Sequence, residues 1–357
     1  MLPETQSAII VPSAKAPFTI TTVPVLTPGK GEVLVKVEAV GLNPMDPFRR
    51  AMDMLIEAYP VIMGSSIAGV VMQVGDGVEG WKTGDEVLSG GMGGGYQQCA
   101  VLDAALLIRK PSNVSFDDAT TYPVTWTTAA NGLFAPAPIG LGLNPTFVWE
   151  RLHAGKSAFV LGASTSVGQH AIQLLKLIGF THIVAYASSK HADYLTSLGA
   201  TDIIAREDTA LPALPAHALF SQLGKMDVVF DGLFATAPGA ASSLDIAHAI
   251  VNPAGQIVTV NPRAILSGEA GDVQIVRVFG YYVAAGGGTP DHAKFGKYIK
   301  ENLPKLMEAG EIKPNRVEVL PGGLEGIVKG LDRWSIAGEG GVSGVKLVGH
   351  PQEGLIL

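Results

Sequence analysis

The chain is short of sulfur, of charge and of long apolar runs. One cysteine, Cys99, stands among 357 residues, which excludes an internal disulfide and any cysteine-rich zinc site. The eight histidines are scattered, with no HExxH and no HxxxH pair, so no helix offers two imidazoles to a catalytic metal. Charged residues make up 16%, the formal net charge is −7 and no basic block exists. A nucleic-acid partner, which needs a Lys/Arg stripe, is not expected. No uninterrupted apolar stretch reaches the roughly 18–20 residues that span a bilayer. The opening MLPETQSAIIVPSAK lacks the basic region and apolar core of a secretory signal. The expectation is a soluble cytoplasmic protein with no membrane partner.

What is abundant is apolar residues, at 47%, enough for a large core in two domains or one large one. GEVLVKVEAVGL (31–42), IAGVVMQVG (67–75) and DEVLSGG (85–91) read as strands punctuated by Gly, Pro and Asp. They predict a small barrel or sandwich over the first 125 residues. RRAMDMLIEAYP (49–60) predicts a helix ending before Pro60, and FDDATTYPVTWTTAANGLF a helix-rich connection. Beyond residue 157 strands and helices alternate: strand 157–162, helix 167–179, strand 182–187, helix 190–199, then DII, MDVVFDG and GQIVTV. That alternation predicts an α/β, doubly wound parallel sheet of the Rossmann type. The tail predicts helices over 291–310 and 324–336 and a final strand, SGVKLVG.

The stretch VLGASTSVGQHAIQLLKLIG (160–179) has the strand–loop–helix form of a phosphate-binding turn. In G-x-G-x-x-G the last glycine lets helix and strand pack closely, and Gly168 fits it. Ala163 and Thr165 hold the other two positions, so the strict motif fails. The small residues Gly162, Ala163, Ser164, Thr165, Ser166 and Val167 still let backbone N–H groups approach a pyrophosphate at the helix N-terminus. An ordinary tight turn is the competing reading. The hydrolase elbow G-x-S-x-G is excluded by Ser166 in place of its final glycine. Coenzyme identity is read at the end of the next strand, AYASSKHADYL (185–195), where NAD-binding chains place an acid. Ser188, Ser189 and Lys190 stand there, with Tyr194 one turn on. Hydroxyls and a cation suit a 2′-phosphate, so NADP(H) is the expected cofactor; a helix cap and a solvated lysine are the plainer alternatives.

Taken together, GEVLVKVEAVGLNPMD, GSSIAGVVMQVGDGVEGWKTGDEV, FDDATTYPVTWTTAANGL, the 160–168 loop, GATDII and LPGGLEGIVKGLDRWSIAGEGGVSGVKLV resemble the medium-chain dehydrogenase/reductase superfamily. The resemblance implies a GroES-like catalytic domain over 1–125, a Rossmann NADP(H)-binding domain over 126–285, and a return to the first domain over 286–357. Zinc alcohol dehydrogenases carry a Cys after the first long strand and a Gly-His-Glu further on. Asn43-Pro44-Met45-Asp46 and Gly64-Ser65-Ser66 stand at those places, so the chain is similar to the zinc-free branch of quinone oxidoreductases and enoyl reductases. Fungal members, including trans-acting enoyl reductases, are the most similar.

Hydride transfer to an activated alkene needs the alkene held against the nicotinamide and a hydrogen bond for the developing enolate. By resemblance, Asn43 is assigned near the nicotinamide ribose, Thr128 to the cofactor and Lys346 to a tail position near the phosphates. Asn261, after GQIVTV, is a candidate for the nicotinamide carboxamide. Tyr96, after GGMGGG, is a candidate proton donor or oxyanion partner, or else an aromatic packed behind a flexible loop; Tyr59 and Tyr122 are weaker candidates. Trp126, Phe134 and the 135–147 loop are expected on the substrate side or in the core. The expected substrate is a small enone, enal or acyl thioester reduced by NADPH. Quinone reduction, ketone reduction and non-catalytic NADPH binding stay open. So does the choice between monomer and homodimer, with VQIVRVFGYYV (273–283) as the strand that would pair across a dimer.

Overall fold

Val33, Val35 and Val37 point to one side of their strand and are buried, while Lys36 and Glu38 pair at 2.8 Å on the other. Such period-2 alternation is what a sheet packed on one face requires. The strand belongs to a computed structural model that describes residues 3–91, 93–234, 242–278, 280, 290–334 and 341–354. The chain divides into two units, Met1–Val124 with Lys300–Leu357, and Thr125–Ile299.

The first unit begins with β1 (Thr5–Val11), β2 (Thr19–Pro24), β3 (Glu32–Gly41), α1 (Met45–Met52), β4 (Val61–Ile62), β5 (Ser66–Val74), β6 (Glu86–Gly90), β7 (Cys99–Asp103), β8 (Leu107–Arg109) and α2 (Phe116–Ala119). The second holds α3 (Thr125–Phe134), β9 (Ser157–Leu161), α4 (Ser166–Leu177), β10 (His182–Ala187), α5 (Ala192–Leu198), β11 (Asp202–Ala205), α6 (Ala218–Leu223), β12 (Met226–Asp231), α7 (Ser243–Ile250), β13 (Val251–Thr259) and β14 (Gln274–Arg277). Then follow α8 (Pro290–Glu308), within which the chain returns to the first unit, β15 (Val317–Leu320), α9 (Gly323–Asp332) and β16 (Lys346–Gly349).

In the first unit β3 is the hub. It pairs antiparallel with β5, with β7 near its start, and with β16 at its end, in a sheet running β15-β16-β3-β5-β6-β8; a smaller sheet runs β2-β1-β4. The buried face of the hub meets Ile67, Val71, Leu102, Ile327 and Leu347 in one core. The expected helix over 49–60 needs correction. It begins at Met45, behind Pro44, and stops at Asp53, which takes a left-handed φ of 51° and donates its N–H to the Arg49 and Arg50 carbonyls. Leu55, with φ 56°, cannot continue it.

In the second unit six strands run parallel in the order β11-β10-β9-β12-β13-β14. This is the doubly wound order that reverses beside β9. The strands are nearly continuous apolar runs, as burial on both faces demands; all five residues of β9 are buried. A second core gathers buried residues from Phe159 to Val273. The aromatic candidates Trp126 and Phe134 are buried too, and Phe147 packs its ring 5.6 Å edge-on to Phe134 and 5.3 Å from Phe295. β14 pairs parallel with β13 at the sheet edge; the rest of the expected dimer strand, at 279 and 281–283, lies outside the described residues, as does 335–336 of the expected tail helix. Among the described residues no helix is long and apolar enough to cross a membrane.

α4 approaches β9 so closely that a Cβ on Gly168 would lie 2.4 Å from the Gly162 carbonyl oxygen. The obstacle is backbone, which cannot swing away. Gly168→Ala is therefore expected to destabilise the chain by about 1–3 kcal/mol through overpacking, measured as a lowered midpoint of urea unfolding.

Candidate functional site

The carboxyl end of the parallel sheet gathers most of the second unit's candidate residues. After β9, Gly162 turns the chain with φ +65°. The Ala163 N–H donates to the Tyr186 carbonyl at 3.2 Å, tying the loop to the end of β10. Thr165 caps α4: its backbone is extended and its Oγ1 accepts from the Gly168 N–H at 3.1 Å. The Gln169 side chain donates to the Ser164 carbonyl at 2.9 Å and accepts from the Tyr194 hydroxyl at 3.2 Å. Ser164, Thr165, Ser166 and Val167 are half-buried, and Ala163 and Gly168 fully so. The first turn of a helix leaves N–H groups without intrahelical acceptors, and a turn this tight brings backbone close to a diphosphate. These residues fit the pyrophosphate of a dinucleotide.

At the end of β10, Ser188 is buried while Ser189 and Lys190 are exposed. A carboxylate faces them. The Ser189 N–H donates to Glu207 Oε2 at 3.0 Å. Donation from the Ser188 hydroxyl, then from that N–H, holds the Glu207 carboxyl down at about 2. Glu207 follows β11, and the parallel register pairs Ala187 with Ala205, so the residues beyond the two strand ends meet.

After β12, the buried Asp231 accepts from Ser243 Oγ at 2.7 Å, Thr259 Oγ1 at 3.0 Å and the Leu233 N–H at 3.2 Å. Burial raises its carboxyl and these bonds oppose the rise. Asn261 is half-buried; its side-chain oxygen accepts from the Arg263 N–H at 3.0 Å in a local turn. Thr128 is 6% exposed in α3.

In the first unit, α1 and the ends of β3, β5 and β16 build a buried polar cluster. Asn43 donates to Ser66 Oγ at 3.1 Å and to the Gly41 carbonyl at 3.3 Å, and its Oδ1 accepts from Lys346 Nζ at 2.5 Å. The Tyr96 hydroxyl donates to Asp46 Oδ2 at 2.7 Å, and its ring packs over Gly64, where a Cβ would meet it at 2.7 Å. Burial raises the Asp46 carboxyl, against the Tyr96 hydrogen bond and the nearby Arg49 and Lys346 charges. Burial, followed by the Asp46 charge, pushes the Tyr96 phenol well up. Burial lowers the Lys346 ammonium to about 7 while Asp46 resists. Tyr59 donates to Asp53 at 2.6 Å on the surface, and Tyr122 to the Ile312 carbonyl at 3.3 Å. The positions that carry metal ligands in zinc alcohol dehydrogenases thus hold hydrogen-bonding amide and hydroxyl groups. Among the described residues no three His, Cys, Asp or Glu side chains gather as a metal site.

The structure brings Asn43 and Lys346 together, and separately Gly162–Gly168 with Tyr194. Three acids at these places escaped the sequence reading: Asp46, Asp231 and Glu207. A signal existed for two of them. Asp46 is the acid of the first helical turn, and Asp231 ends an apolar strand. Glu207 lies 18 residues beyond Ser189, and only strand order makes them neighbours.

Residues 29–112 match the alcohol dehydrogenase GroES-like domain. A chloroplastic quinone oxidoreductase of Triphysaria versicolor is 36% identical over 188 residues, covering 51% of this chain and 54% of that one. The chain thus spans about half the length of the plant relatives it matches. A trans-enoyl reductase of Aspergillus terreus is 32% identical over 216 residues, covering 57% of this chain and 69% of that one. The crystal structure of CurK enoyl reductase superposes with a TM-score of 0.76 at 22% identity, covering 97% of this chain and 99% of that one. With a GroES-like first unit, a six-stranded Rossmann sheet in the second and these relatives, the chain belongs to the medium-chain dehydrogenase/reductase family.

Proposed function

We propose that this chain is an NADPH-dependent reductase of the C=C bond in α,β-unsaturated ketones, aldehydes or acyl thioesters. The observation that carries the reading is the buried Asn43–Ser66–Lys346 chain of hydrogen bonds, where metal-dependent relatives hold a zinc ligand set. Amide and hydroxyl groups are hydrogen-bond partners suited to a developing enolate. The likeness to fungal trans-enoyl reductases supports the same chemistry. NADPH supplies the hydride when bound.

In this reading Gly162–Gly168 receive the pyrophosphate, and Ser188, Ser189 and Lys190 the 2′-phosphate. Tyr194 acts through Gln169 to hold the loop. Thr128 and Asn261 serve the nicotinamide end. Lys346, with its ammonium spent on Asn43, holds that amide in place rather than reaching for phosphate. Tyr96, which donates to Asp46, is assigned to positioning. Quinone reduction is a second reading, carried by the 36% identity to a plant quinone oxidoreductase.

Steady-state assays with NADPH and small enones are expected to show saturable alkene reduction. Alcohol oxidation without any enone turnover would sink the proposal, and semiquinone formation from a naphthoquinone would favour the second reading.

The Lys346 ammonium, lowered to about 7 from the ordinary 10.5, gives a pH signature. Below about 7 it is protonated and donates to Asn43, so kcat/KM is expected to fall as pH rises through that value, with the inflection absent in Lys346→Met. Stability moves the other way. Between about 7 and 10.5 the folded chain has shed a proton that the unfolded chain retains, so stability rises with pH there. Urea unfolding of Lys346→Met should lack that rise.

A further inference from the structure

The proposed 2′-phosphate cradle already has an anion in it. The Ser189 N–H and the Ser188 hydroxyl both donate to the Glu207 carboxylate. Those are two of the donors that the NADP(H) reading gives to the phosphate. A carboxylate and a phosphate cannot share them, because both are acceptors and both are negative.

We propose that Glu207 is the coenzyme-discriminating residue: its carboxylate stays to accept the ribose 2′-hydroxyl of NAD(H) and must swing out to admit the 2′-phosphate of NADP(H). This inference rests on the dinucleotide reading of the loop after β9.

The backbone fixes the meeting. β10 and β11 are held in parallel register through Ala187 and Ala205, and the Arg206 N–H extends the ladder to the Ala187 carbonyl at 2.9 Å. Ser189 and Glu207 are therefore presented to each other whether or not coenzyme is present. The side chain itself is free to leave, since Glu207 is exposed and its exit leads to solvent. Its departure also frees a cation. Arg206 Nε lies 3.5 Å from Glu207 Oε1 in an exposed ion pair, of a kind that contributes little. Once released, Arg206 joins the exposed Lys190 as a partner for phosphate. With the carboxylate in place, the chain presents to ribose the acid that NAD-binding sheets place at a strand end. Here that acid comes from the neighbouring strand. In this arrangement Glu207 holds down the chain's preference for NADPH.

Isothermal titration of the full chain with NADPH, NADH, 2′,5′-ADP and 5′-AMP tests this without any turnover. In Glu207→Gln, the Kd for NADPH and for 2′,5′-ADP is expected to fall about tenfold, the scale of one charge-assisted contact, while the Kd for NADH and for 5′-AMP, whose 2′-hydroxyl loses a charged acceptor, is expected to rise. Asp208→Asn removes the same charge one residue on and is expected to shift none of the four by more than about twofold. An unchanged ratio of NADH to NADPH affinity in Glu207→Gln overturns the inference while leaving the NADPH reading intact. So does an equal shift in Asp208→Asn, which would make the effect one of net charge. If wild type and variants bind none of the four ligands, the dinucleotide reading fails and this inference with it.

Discussion

The site in the second unit depends on how closely α4 approaches β9. Gly168 leaves no room for a Cβ against the Gly162 carbonyl, and Gly162 itself turns with φ +65°. These are the two glycines the geometry requires, one for space and one for a left-handed backbone. Ala163 and Thr165, which break the usual glycine fingerprint, sit where neither demand applies. Thr165 has φ −66° and ψ 155°, an extended backbone open to any residue, and it uses its hydroxyl as the helix cap. A glycine there would keep the turn and lose the cap. The departure from the motif is thus a substitution of a capping interaction for an unneeded freedom.

From that turn the parallel register propagates. Ala163 bonds to the end of β10, Ser188 and Ser189 follow that strand, Glu207 follows β11, Asp231 ends β12 and Asn261 follows β13. Every strand points its carboxyl end the same way, so residues far apart in the chain share one rim. The strands were legible in the sequence because buried parallel strands are short apolar runs between turn residues. The rim contacts were not. The run Ser188-Ser189-Lys190 reads as a cradle free of acid, and along its own strand it is one. Its carboxylate arrives from the next strand, and local sequence carries no record of which strands become neighbours.

The first unit shows the same limit more sharply. Asn43 and Lys346 are separated by 303 positions, and Tyr96 and Asp46 by 50. Their types were visible, and the resemblance placed Asn43 and Lys346 as functional, but nothing local joins an asparagine before a proline to a lysine in the final strand. The α1 boundary was missed for a different reason. The apolar spacing of 49–60 suits a helix, whereas the chain reverses at Asp53 and Leu55, both in the left-handed region. Backbone conformation at a non-glycine residue leaves no compositional mark.

Burying Asp46, Lys346 and Arg49 in one small volume costs stability, and apolar residues of similar size would remove that cost. The shifts in the cluster run toward each other: burial raises the carboxyl and lowers the ammonium. Tyr96 fixes one end by donating to Asp46, and Asn43 fixes the other by accepting from Lys346. Apolar packing would hold β3, α1 and β16 together equally well. What the polar groups add is direction: each bond holds Asn43 or Asp46 at a set position, which apolar packing does not do.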